Sequence, residues 1–307
     1  MKLIPLRLIL LLGLIFACAA RGDDATRQLQ EQAIKLFASL DAEQRRAAVV
    51  AFDDPRRSEE QFTGGPRAGI PLRRLRPEQR QMAMELIRSF TSDYGAQKCQ
   101  AIADQDGEGL DKYYLCFFGE PGEGRSYAWR VAEHHLTLVH LEVEDGQPAR
   151  FGPILLGADP PVLWGEDEDL MISLFTALSA DERQRVVQRG RGISSAPLRP
   201  EIGVRISELS PEAQQRARDV FESRMRFFAP AIQQRIGQVL DRQGGLGSMR
   251  IVFFGQADKR CADGGRWDFK LGSDSFLCDY ENTRGHIHLS MKGQLRDDQT
   301  DKGRNQE

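Results

Sequence analysis

Histidine is scarce in this chain, five in 307 residues, and cysteine is no commoner, with five. No two cysteines form a Cys-x-x-Cys pair, which removes the usual thioredoxin-like and zinc-ribbon signatures. There is no excess of positive charge: 42 Lys and Arg stand against 45 Asp and Glu, for a net charge of -3. A chain so balanced is not built for a polyanionic backbone, so nucleic acid is not an expected partner. Arg-rich stretches such as "RRLRPEQR" (73–80) read instead as solvated helix faces. "GEPGEG" (119–124) lacks the Gly-Lys-Ser/Thr of a phosphate loop and reads as a hairpin turn. "GRGISS" (190–195) is not a Gly-x-Ser-x-Gly nucleophile elbow, and the acidic "WGEDEDL" (164–170) lacks calcium-loop spacing and reads as a helix start. After residue 16 no apolar run is long enough to span a bilayer.

What is present begins with a leader. Lys2 and Arg7 precede a short apolar run, Leu8 to Phe16, in the pattern of an export signal over residues 1–18. "IFAC" has the form of a lipobox with Cys18 as the lipidated residue; Ala17-Cys18-Ala19 equally fits ordinary signal cleavage. The expected location is therefore the periplasm or cell envelope, as a lipoprotein anchored through Cys18, or alternatively secretion. Export implies an oxidising compartment, and the four remaining cysteines suggest disulfides, most simply Cys99–Cys116 and Cys261–Cys278. Three connectivities remain open.

The sequence reads twice. "LFASLDAEQR" (36–45) recurs as "LFTALSADER" (174–183), with five of ten positions identical, and "LRPEQRQMAMELIRSF" (75–90) recurs as "LSPEAQQRARDVFESR" (209–224), with six of sixteen. "GIPLRRL" answers "GVRISEL", and "FFGEPGEGRSYAWR" answers "FFGQADKRCADGGRWDF", at offsets of 134 to 138. The spacing implies an ancient duplication with halves at 25–165 and 166–292, followed by a disordered tail at 293–307. In each half a helix leads to a capping box, Asp41 with Gln44 and Ser179 with Glu182. A second helix opens at Pro77 or Pro211, the latter preceded by Ser210 as cap. Alternating segments separated by Gly, Pro and Asp then predict strands: "YYLCFFG", "YAWRV", "HHLTLVHLEVE" and "ARFGPILLG", later "MRIVFFG", "RWDFKL", "SFLCDY" and "HIHLSM". The predicted class is α+β: two pseudo-repeats, each two or three helices followed by an antiparallel β-meander, sharing one core.

Several blocks, "YYLCFFGEPGEGRSYAWR", "EHHLTL", "GPILLGADP" and "CDYENTRGHIH", resemble in content and order the signature of the domain-of-unknown-function 3500 family. The resemblance covers residues 26 to 290 and implies an exported protein, without implying an activity. The family shows Gly-His-His where this chain has Glu133-His134-His135, and Asp-Asn-Thr where it has Glu281-Asn282-Thr283. Its Asn-rich loop before the His-x-His is here only Arg284-Gly285, and its Trp-Arg-Asp segment is reduced to "MKGQLRDD".

All five histidines fall in two short strand-like runs, His134, His135 and His140 in one, His286 and His288 in the other. Alternate residues of a strand share a face, so His286 and His288 point one way, about 7 Å apart, and Ile287, Leu289 and Met291 point the other way into a core. Two imidazoles on one face make half of a transition-metal site for zinc, copper or iron. As neighbours in a strand His134 and His135 would face opposite ways; His135, on the face of Glu133 and Thr137, is the favoured third ligand. Glu133 or Glu281 would complete the site or act as base toward a metal-bound water. Trp129 and Arg130, with Asn282, are weaker candidates for contact with a small-molecule or peptide ligand. Two functions follow: a metal-dependent, hydrolase-like envelope enzyme, or a non-catalytic ligand-binding or structural lipoprotein whose histidines bond to nearby backbone carbonyls.

Overall fold

In a computed structural model of the protein, residues 27–142, 148–192, 198, 202–283 and 285–295 are described. The leader with Cys18, and 296–307 of the expected tail, lie outside them. The class is α+β, with eight helices among the described residues and one twelve-stranded mixed sheet.

Helices α1 (27–39), α2 (Ala42–Ala48), α3 (Pro77–Phe90) and α4 (Asp93–Gln105) precede a meander of β3 (Tyr114–Phe118), β4 (Tyr127–Ala132), β5 (Leu136–Glu142) and β6 (Pro148–Ala158). Helices α5 (Gly165–Ala177), α6 (Ala180–Val186), α7 (Pro211–Met225) and α8 (Pro230–Arg242) precede β9 (Arg250–Phe254), β10 (Asp268–Gly272), β11 (Phe276–Thr283) and β12 (His286–Gln294). Each meander thus follows four helices, not two or three; the helical run after Pro77 is broken at Thr91, which bridges to Phe228, and restarted by Ser92, whose hydroxyl caps α4. Both capping boxes form as the spacing predicts. Ser210 does not cap α7 with its hydroxyl: Glu182 instead accepts from both its N–H (2.5 Å) and its Oγ (3.4 Å), tying α6 to the start of α7.

Two-residue strands complete the sheet: β1 (Val49–Val50) lies parallel to β3, β2 (Ile70–Pro71) antiparallel to it, β7 (Val187–Gln188) parallel to β9 and β8 (Val204–Arg205) antiparallel to it. Strands β6 and β12 pair antiparallel and join the two meanders. One face of this sheet meets the helices in a single apolar cluster that runs from Leu29 to Leu295 and includes Ile287, Leu289 and Met291. The other face lies under two segments of little regular structure, 51–69 and the described parts of 189–203.

The expected disulfides are absent: Cys99, Cys116, Cys261 and Cys278 are free and buried. Cys99 sits in the helix-side core, whereas Cys116 on β3 points to the opposite sheet face with Phe118 and Ala128. Cys261 lies against Asn282, four residues along β11 from Cys278, or about 13 Å, well beyond the reach of a disulfide. Burial pushes the thiols of Cys99, Cys116 and Cys278 up to about 12 and that of Cys261 up to about 11, so none is a ready nucleophile. A thiol reagent should therefore leave these four unmodified in the native protein and label all four in denaturant, and dithiothreitol should leave the melting temperature unchanged. Labelling of the native protein at these positions would contradict the packing.

Candidate metal centre

The centre is assembled on the loop-covered face at the β6–β12 junction. Thr283 pairs with His286, and Gly285, just before β12, takes φ 99°, a conformation that glycine tolerates. The register of that pairing sets Glu281 directly opposite His288. On its other side His288 faces Gly157 of β6. His134 and His135 are not in a strand, as the alternation suggests, but in the bend joining β4 to β5. Their rings therefore stack, with centroids 3.7 Å apart, instead of pointing to opposite faces.

The bend lays the His135 ring over Gly157. Its carbonyl accepts the Gly157 N–H at 2.6 Å, and a Cβ at 157 would stand 2.4 Å from His135 Cδ2. The vacancy left by that missing side chain lets His135 approach the strand pair, its ring centroid 5.8 Å from that of His288 and 5.9 Å from that of His286. Ligand nitrogens of His135, His286 and His288 all lie within 4.8 Å of one another. Three such atoms always leave a point no more than about 2.8 Å from any of them, so small side-chain rotations reach the zinc–nitrogen distance of about 2.0–2.1 Å.

Asp106, the C-cap of α4, orients the His135 ring. Its Oδ1 lies 2.5 Å from His135 Nδ1, while its Oδ2 accepts from Tyr113 Oη at 3.0 Å and from the His135 N–H at 3.3 Å. Burial pushes Asp106 up, but the hydrogen bonds from His135 and Tyr113 outweigh it and hold its carboxyl below the usual range. An ionised Asp106 keeps the proton on Nδ1, leaving the Nε2 lone pair available, the carboxylate–histidine arrangement of many metal centres. That Nε2, and both ring nitrogens of His288, are buried and make no hydrogen bond. His288 is only 4% exposed, and burial first, then the neighbouring His286, His135 and His134, push it down to about 3, so at neutral pH it is in the ligand form.

The other candidates fall elsewhere. His134 and Asp106 also approach His135 closely enough to share a cation. The His134 ring lies stacked on His135, with 23° between the ring planes. Glu133 fastens the segment above the centre: Oε1 accepts from Gly65 N at 2.8 Å, Oε2 from His134 N at 2.5 Å, with Lys112 Nζ at 3.8 Å. Glu281 shares the histidine face, with Arg191 Nη2 at 3.9 Å. Asn282 turns to the other side, where its Nδ2 donates to the Gly265 carbonyl at 2.6 Å. Trp129 and Arg130 cannot clamp one ligand, because as strand neighbours they lie on opposite faces: Trp129 packs edge-on to Phe90 in the helix-side core. His140 is wholly buried there too, 3.4 Å from Glu142. The Phe62 ring lies 5.1 Å from His288 and roofs the cluster.

A sheet of two joined meanders, helices on one face and a buried histidine cluster on the other, defines an α+β protein with a candidate metal centre. The family model described as protein of unknown function DUF3500 matches residues 23–301, and the chain belongs to this family. No curated protein and no solved structure matches it.

Proposed function

We propose that this protein is a metal-dependent, hydrolase-like enzyme of the cell envelope in which His135, His286 and His288 hold one transition-metal ion. The observation that carries this reading is the convergence, within 4.8 Å, of ring nitrogens of half-buried His286 with those of buried His135 and His288, where His135 Nε2 and both His288 nitrogens have no partner and Asp106 fixes the His135 ring. Three imidazole ligands would leave such an ion its full charge and room for a water, the donor set suited to acidifying that water. Zinc, copper and iron all accept imidazole. Glu281, opposite His288 on the same face, is the carboxylate placed to take the proton. A second reading, a closed binding or structural centre, is favoured by the roof of Phe62 and the near-complete burial of His135 and His288.

The arrangement also supports the inferred duplication. Each meander carries a parallel two-residue strand and an antiparallel one on its first strand, and the meanders meet at their last strands. The metal would bind across that junction, with His135 from one half and His286 and His288 from the other. Export, and anchoring at Cys18, belong to the same reading.

Elemental analysis of tag-free protein should find about one equivalent of metal, lost in His286→Ala and in His135→Ala. Asp106→Asn should keep the metal but weaken its binding by about 10–100-fold, because the ring it orients is freed. Metal-free protein whose melting temperature ignores zinc and copper would end the proposal. Metal present, but with no water-derived reactivity toward activated esters in any loaded form, would select the second reading.

A further inference from the structure

Arg130 of β4 lies between Cys116 of β3 and Val139 of β5 on the loop-covered face and is 3% exposed. Its Nη1 donates to the Arg56 carbonyl at 2.5 Å, but Nε and Nη2 are buried and have no partner. Those two nitrogens form one edge of the guanidinium, the edge that presents two parallel N–H groups to two oxygens. The neighbouring Arg67 is held by the Gly65 carbonyl at 3.0 Å and by the Thr63 carbonyl, and its buried Nε is likewise unpartnered.

A buried cation is ordinarily matched by an anion, since a carbonyl dipole supplies no net charge. Among the described residues no carboxylate pairs with Arg130 or Arg67, and the carboxylate whose charge acts on Arg130 is Glu59, on the surface. Cys116 cannot serve, because burial pushes its thiol up to about 12 and it remains neutral. Phe118, Ala128, Ala68 and Leu141 make the surroundings apolar, which strengthens any charge interaction there. Burial, then the adjacent charge of Arg67, push Arg130 below its ordinary value, the direction expected of two cations crowded without a counter-ion.

We propose that Arg130 and Arg67 form a binding site for a small oxyanion, a phosphate, a sulfate or a carboxylate, between the 53–69 segment and the β3–β5 face of the sheet. Arg130 would engage two oxygens through its open edge, and Arg67 would close from the loop side. The site is independent of the histidine centre, and its failure would leave the metal reading untouched.

The test is thermal unfolding of the full chain at constant ionic strength, with chelator present so that coordination at the histidines cannot contribute. Inorganic phosphate, sulfate and acetate are titrated separately, with chloride as the single-atom comparison. At about 100-fold over its dissociation constant, an oxyanion should raise the melting temperature by about 5 °C, and chloride by much less. The more effective of phosphate and acetate tells whether an inorganic ion or an organic carboxylate is the natural occupant. Arg130→Met should lose the response while melting no lower than the wild type without anion, since it removes an unpaired buried charge. Arg67→Gln, at a half-buried position, should weaken anion affinity at least tenfold even if Arg130→Met does not fold. An equal response to all four ions, none to any, or one unchanged in Arg67→Gln would overturn the assignment.

Discussion

Gly157→Ala is expected to abolish tight metal binding without touching a ligand. The added methyl would stand 2.4 Å from His135 Cδ2 and 2.9 Å from its Cβ and Cγ, so the ring must leave the surface of β6. Moving it withdraws one of three nitrogens and breaks its contact with Asp106, a combined loss of at least about 100-fold in affinity. The overlap itself costs about 1–3 kcal/mol of stability. A double-mutant cycle separates these effects. In His135→Ala the space is vacant, so adding Gly157→Ala should cost almost nothing in stability, while metal binding stays lost in both variants. If Gly157→Ala binds metal as the wild type does, His135 is not a ligand.

The second large effect is on stability against pH. Asp279 of β11 is buried on the same face, 3.5 Å from Lys270 and 3.3 Å from Ser290 Oγ, with Oδ1 unpartnered. Burial outweighs the attraction of Lys270 and raises the carboxyl from 3.8 to about 7. Between these values the folded protein holds a proton that the unfolded chain has released. Its contribution is therefore complete below about pH 4 and is lost as pH rises through 7. From pH 5 to pH 8 this one group should lower the unfolding free energy by roughly 2–3 kcal/mol, read from denaturant midpoints. Asp279→Asn should flatten that slope. A variant with the same slope as the wild type would show that Asp279 is ionised throughout.

What could be read from the residues follows the range of each interaction. Strand alternation separates His286 and His288 from Ile287, Leu289 and Met291 on local geometry alone, and capping boxes are three-residue events, so both were legible. The convergence of His135 on β12 depends on a missing side chain at Gly157, which has no signature in its own segment. Asp106 was invisible for the same reason: nothing in a helix-ending Asp-Gly marks it as the partner of a ring 29 residues on. The bend at 133–135 has the pattern of a strand because its histidines sit between two apolar alternating runs. The disulfides failed because even cysteine number says nothing of which sheet face a residue takes, and Cys116 faces away from Cys99.

The pairing of β6 with β12 has a consequence for how the chain becomes competent. His135 reaches the cluster from before that seam and His286 and His288 from beyond it, separated by about half the polypeptide. Neither stretch alone would supply more than a fragment of the proposed ligand set. Ion capture would therefore be the last event of maturation, and a bound ion would certify that the two ends of the molecule had found each other.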